Sequence, residues 1–131
     1  MNPVNCCIYT EASKNDPVEV KLNVPEKWML ATSMKKDGTT LFAADFEELA
    51  DSPFICSPQM HYKQYEVGGI VFHIWMNGEV KPHWEKLIKD FKAFTKKQLE
   101  KFMEFPVNEY HFLFQIVPIR LIMVLNINVL Q

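Results

Sequence analysis

The chain has 131 residues, 48% of them hydrophobic and 23% charged, with a formal net charge of -2. That length accommodates a single core of ordinary size, and the near-neutral balance argues against a nucleic-acid binder, which normally carries a clustered basic excess. An aromatic fraction of 13% excludes a disordered chain.

Residues 4–9 and 17–24 read as strands. In the second, Val18, Val20, Leu22 and Val24 alternate with Glu19, Lys21 and Asn23, the period-two pattern of a half-buried strand. Trp28 to Thr32 follows as a short strand, and Lys35-Lys36-Asp37-Gly38 as a turn into Thr39 to Ala43. Asp45 is placed to cap a short helix through Leu49, because a carboxylate there accepts the free amides of the first turn. Pro53 and Pro58 bracket a segment that reads as an irregular link. Tyr62 to Val67 and Ile70 to Met76 flank Gly68-Gly69 as a hairpin, closed by Asn77-Gly78.

The period changes after Pro82. Trp84, Leu87, Ile88, Phe91, Phe94, Leu99, Phe102 and Met103 recur at helical spacing, with lysines on the other faces. This predicts an amphipathic helix over about residues 82–104, which Pro106 ends. Tyr110 to Val117 is an apolar strand. The expected class is α+β: an antiparallel sheet or partial β-sandwich, one long amphipathic helix and a C-terminal strand. The organisation divides as 1–78, 79–120 and an apolar tail, 121–131.

Chemistry-bearing residues are sparse. His61, His73, His83 and His111 lack the i,i+4 pairing that puts two imidazoles on one helix face. His61 and His73 are placed to meet across the hairpin, but two imidazoles without a third ligand hold a metal weakly, so no metal ligand is assigned. Asp45, Glu47, Glu48 and Asp51 read as a solvated first turn that suits the helix dipole. Trp28 and Trp75 sit in alternating patterns that fit core packing. Cys6, Cys7 and Cys56 form no disulfide framework and read as reduced thiols. The chain opens without a signal-peptide pattern and holds no run of roughly 20 apolar residues, so no membrane or nucleic-acid partner is expected. No catalytic or cofactor-binding residue is assigned.

Two stretches carry a family resemblance. One is Pro25-Glu26-Lys27-Trp28-Met29-Leu30-Ala31-Thr32 with Phe42-Ala43-Ala44-Asp45-Phe46-Glu47-Glu48-Leu49-Ala50-Asp51-Ser52-Pro53. The other is the helix from Trp84 to Phe102 leading into Tyr110-His111-Phe112-Leu113-Phe114. Together they resemble the glycyl aminopeptidase family of zinc metallopeptidases, of thermolysin-like gluzincin type, over residues 4 to 120. The resemblance implies that 1–78 is the later part of an N-terminal β-sandwich and 79–120 the opening of a catalytic domain. It implies a parent that takes zinc and hydrolyses peptide substrates at their N-termini. The family's zinc-binding H-E-x-x-H has no counterpart here, so none of its catalytic or metal residues carries over.

The tail departs from that family, whose members run Tyr-His-Gly-Val-Glu-His after the first catalytic strand. That hexapeptide, written in codons and read one base later, gives Ile-Met-Val-Leu-Asn and then Ile or Met. This chain has Ile122-Met123-Val124-Leu125-Asn126-Ile127. The expectation is a frameshift near Leu121, and an added strand burying Leu125, Ile127 and Val129 on one face. Exposed sheet edges would then allow a homodimer by edge pairing. The functional expectation is a truncated, non-catalytic fragment of a metallo-aminopeptidase, cytoplasmic if expressed as it stands. The alternative is an independent β-rich peptide- or protein-binding module. A small hydrolase built on the Asp45–Asp51 carboxylates ranks last.

Overall fold

The structure, a computed structural model, describes residues 1–102 and 106–117, and residues 122–127 by their backbone alone. Over those residues it is α+β, with mostly antiparallel sheets and one long helix. The chain opens with a short 3-10 turn at Pro3–Asn5, where the Asn2 side chain accepts from Val4 N. The strand expected over 4–9 does not form. Asn2 and Pro3 favour a capped turn, and the loop after it continues to residue 17.

Strand β1 is Val18–Lys21, shorter than the expected 17–24, and pairs antiparallel with β4, Thr40–Ala43. Strand β2 is Met29–Thr32. Lys35–Asp37, expected as part of a turn, is strand β3 paired with β4, the turn itself lying at Gly38-Thr39. All three residues of β3 are exposed. It is a strand through its ladder to β4, not through any hydrophobic alternation. The link expected between Pro53 and Pro58 is strand β5, Phe54–Ser57, which pairs antiparallel with β2. The two prolines lie just outside its ends and leave every β5 amide free to pair.

Helix α1, Phe46–Asp51, starts as the sequence predicts. Asp45 Oδ1 accepts from Glu48 N at 2.8 Å, and the Glu48 carboxylate reaches back to Ala44 N, a reciprocal cap. Leu49 on its inner face is 1% exposed and joins Leu30, Met34, Leu41, Ala43 and Phe54 in one core. Asp45→Ala is expected to destabilise the chain by about 1 kcal/mol; urea denaturation beside the exposed control Glu47→Ala measures it.

Strands β6, Met60–Val67, and β7, Ile70–Asn77, form the predicted hairpin in full register, Val67 opposite Ile70 and Met60 opposite Asn77. Gly68 and Gly69 have φ of 63° and 81°. Such successive left-handed conformations match the twist of a two-residue hairpin and suit glycine. Helix α2, Trp84–Phe102, then carries the chain back so that β8, Glu109–Ile116, lies parallel to β7. A parallel neighbour requires such a crossover. The backbone of β9, Ile122–Ile127, adds antiparallel to β8 and gives the order β6-β7-β8-β9. The side chains of Leu125 and Ile127, all of Val129, the expected helix end at 103–104 and the site of the frameshift lie outside the described residues.

This sheet has two faces. On one, Tyr65, Ile70, Phe72, Ile74 and Met76 are buried, with Trp84, Leu87, Ile88, Phe91 and Leu99 of α2 packed over them. Phe94 and Phe102 depart from the expected apolar stripe, at 53% and 61% exposed. Leu99 sits over the hairpin turn, its Cδ1 3.2 Å from where a Gly68 Cβ would be. Phe102, about 4.5 Å further along the axis, has passed the end of the strands. On the other face, Met60 and Leu113 pack with Ala31 of β2 and Ile55 of β5, and Trp75 leans on them.

Candidate functional site

Parity along the strands determines which side chains share the second face of the sheet. In β8, Glu109, His111 and Leu113 alternate with Tyr110 and Phe112, which pack under α2. The parallel register sets His73 beside His111 and Trp75 beside Leu113. The antiparallel register sets Gln64 beside His73 and Tyr62 beside Trp75. One end of this face, at Leu113 and Met60, is covered by β2 and β5. Towards the other end, where Gln64, Glu66 and Glu109 are exposed, it opens to solvent.

His73 and His111 stack with ring centroids 4.3 Å apart and planes 16° from parallel. Glu109 Oε2 lies 3.7 Å from His73 Nε2 and 3.9 Å from His111 Nε2. The hydrogen bonds assign the tautomers. Tyr62 Oη donates to Gln64 Oε1 at 2.6 Å, so towards His73 Nδ1, 2.8 Å away, it acts as acceptor. His73 therefore carries its proton on Nδ1, leaving Nε2 bare; that nitrogen is buried without a hydrogen-bond partner. The Trp75 indole donates through Nε1 to His111 Nδ1 at 3.1 Å. An indole only donates, so neutral His111 carries its proton on Nε2.

Burial, together with His73 and Lys36, pushes the His111 pKa down to about 4. Burial lowers that of His73 as well, against the opposing pull of Glu109. The Tyr62 hydroxyl is raised by burial and by Glu109. Both imidazoles are neutral at pH 7. Three potential ligand atoms thus lie within 4.8 Å of one another.

The residues singled out from the sequence fare differently. His61 does not meet His73 across the hairpin: it stands opposite Met76, on the α2 side, while Gln64 is the partner of His73. Asp45 and Glu48 are consumed as helix caps. Trp28 is 40% exposed, whereas the Trp75 ring lies 4.1 Å from that of Tyr62, tilted by 32°, and packs against the second-face core. Cys6, Cys7 and Cys56 are free thiols, and burial raises the pKa of Cys7 and Cys56, leaving them weak nucleophiles. Near the chain start, Tyr9 stacks on Phe46 at 4.2 Å beside a cavity of about 460 Å³ lined by Cys7, Val18, Val20 and Leu49. Glu109 had no place in the sequence reading. The signal available was Glu109-x-His111, an i,i+2 pair that shares one face of any strand.

Comparisons with known proteins place this geometry in context. Residues 1–58 match the Peptidase M61 N-terminal domain. A crystal structure of an aminopeptidase N family protein from Idiomarina loihiensis shares the fold with a TM-score of 0.82 at 24% identity, over 88% of this chain. The chain spans only 21% of that protein's length. No curated protein matches it. In sequence, the first part of the chain is thus similar to the N-terminal domain of a peptidase family, and the shared fold covers more of the chain than that match does.

Proposed function

We propose that this chain is a non-catalytic portion of a zinc metallo-aminopeptidase of the glycyl aminopeptidase type. In the whole enzyme it would contribute an N-terminal β-domain and the first helix and strands of the catalytic domain. The observation that carries the reading is the match of residues 1–58 to the Peptidase M61 N-terminal domain. The fold shared with an aminopeptidase N family protein over 88% of the chain supports it. The motifs from Pro25 to Pro53, and their spacing to the helix from Trp84, support the finer assignment.

The residues present do not fit the zinc of such an enzyme. That chemistry uses two imidazoles one helical turn apart with a glutamate between them as general base, and H-E-x-x-H is absent from the sequence. The His73, Glu109 and His111 set lies on two parallel strands, not on one helix. No hydrolytic step is assigned to these residues.

The test is the DNA encoding the tail and the region downstream of it. Reading on from Leu121 in the shifted frame is expected to give an open frame containing an H-E-x-x-H sequence. The protein expressed from that frame is expected to cleave N-terminal residues from peptides in a zinc-dependent manner, while the 131-residue chain does not. A downstream frame closed by stop codons, or one without the motif, would overturn the proposal.

A further inference from the structure

We propose that His73, Glu109 and His111 form a binding site for a divalent transition-metal cation, one that clamps β7 to β8 and leaves a coordination position open to solvent. The inference rests on the side-chain geometry of this chain and does not depend on the peptidase reading. Two imidazole nitrogens and a carboxylate form a donor set suited to Zn²⁺.

His73 supplies the strongest argument. Its Nε2 lone pair is buried and has no hydrogen-bond partner, an arrangement that costs free energy as long as it stands empty. Its Nδ1–H is meanwhile held by Tyr62, which is in turn held by Gln64. This is the supporting hydrogen bond that a ligating histidine ordinarily has on its far nitrogen. No proton has to leave His73 for a cation to bind. Glu109 brings a negative charge to both imidazoles, and its side chain is 66% exposed, so it is free to adjust.

The geometry also shows what must move. Bond lengths of about 2.0–2.1 Å in a tetrahedral site bring ligand atoms to roughly 3.4 Å from each other. The Glu109 oxygen stands at 3.7 and 3.9 Å from the two nitrogens, so closing the site takes shifts of a few tenths of an ångström there. The stacked rings must also tilt, because parallel rings do not aim their lone pairs at one point. Trp75 opposes binding: its donation to His111 Nδ1 keeps the His111 proton on Nε2, the atom the cation needs. Binding therefore moves that proton to Nδ1 and turns the indole N–H away. The Lys36 ammonium, held at 2.9 Å by Leu30 O and felt electrostatically by His111, also opposes a cation. Glu109 offsets it.

The experiment is a titration of the full chain with Zn²⁺ at pH 7.5, by calorimetry and tryptophan emission. Cys6→Ser, Cys7→Ser and Cys56→Ser are introduced first, to remove the competing thiols. One equivalent is expected to bind saturably, with a change in emission as the Trp75 hydrogen bond breaks. Glu109→Gln, a near-isosteric change at an exposed side chain, and His73→Gln are each expected to weaken binding by roughly tenfold or more. Trp75→Phe is expected to tighten it by about fivefold, the equivalent of one opposing hydrogen bond. Absence of saturable binding, or equal affinity in the parent and Glu109→Gln, would overturn the proposal. So would a Trp75→Phe affinity no tighter than the parent's.

Discussion

Acidifying the chain, in the presence of chelator, from pH 6.5 to pH 4 is expected to lower its unfolding free energy by on the order of 3 kcal/mol through His111 alone. His111 is 8% exposed, its Nδ1 is occupied by the Trp75 donor, and His73 lies against its ring. These surroundings hold the folded pKa at about 4, against an unfolded value of about 6.5. Above that unfolded value neither state binds a proton at this residue, and the contribution is level. As the pH falls from there to about 4, the unfolded chain takes up a proton that the folded chain refuses, so stability falls through that window. Below about 4 both states are protonated and the loss is complete. His73 is shifted in the same direction by its burial and steepens the fall. Urea midpoints at pH 7.5, 5.5 and 4 measure the effect. His111→Gln is expected to remove most of the slope, and an unchanged slope would assign the acid sensitivity elsewhere.

Replacing Gly78 by alanine is expected to cost about 3 kcal/mol or more. Gly78 follows β7 with φ of 129°, a conformation that residues with a Cβ rarely adopt. A Cβ built there would lie 2.4 Å from Ile116 O and 3.2 Å from both the carbonyl carbon and Cβ of Ile116. The oxygen belongs to the backbone of β8, so no side-chain rotation relieves the contact. Relief means separating the ends of β7 and β8, the two strands whose register sets His73 beside His111. Gly38→Ala is the control. That glycine also has positive φ, but nothing lies within 4 Å of its Cβ direction, so only the conformational part of the cost is expected. Thermal or urea unfolding of the two variants separates strain from contact, and equal losses would refute the role given to Ile116.

Much of the local structure was legible because short-range physics determines it. The alternation on both sides of Gly68-Gly69 specifies the β6–β7 hairpin, and Asp45 as a capping carboxylate specifies the start of α1. The apolar period after Pro82 specifies α2 and its inner face from Trp84 to Leu99. The misreadings occur where pairing overrides pattern. Lys35-Lys36-Asp37 has no buried face, and β5 is four residues between two prolines. Each becomes a strand only because β4 or β2 presents it with an unpaired edge.

The histidine site was not legible for a related reason. His73 and His111 are 38 positions apart, and nothing local states that α2 returns the chain parallel to β7. Reading β8 as another antiparallel neighbour leaves the pairing partner of His73 unspecified, and the hairpin register then draws attention to His61. Yet His61 and His73 differ in parity relative to the ladder, so they face opposite sides of the sheet.

By itself the sequence determined the class of fold, the hairpin, the capped helix and the amphipathic helix, because each depends on contacts within a few residues. It also determined the absence of H-E-x-x-H, which is a matter of spelling. Tertiary structure alone decided which strands are neighbours, and through them which polar groups meet on the sheet face turned away from α2. The physical reason is the parallel crossover. It joins β7 to β8 across a long helix, and a single register then brings two imidazoles and a carboxylate together at one point.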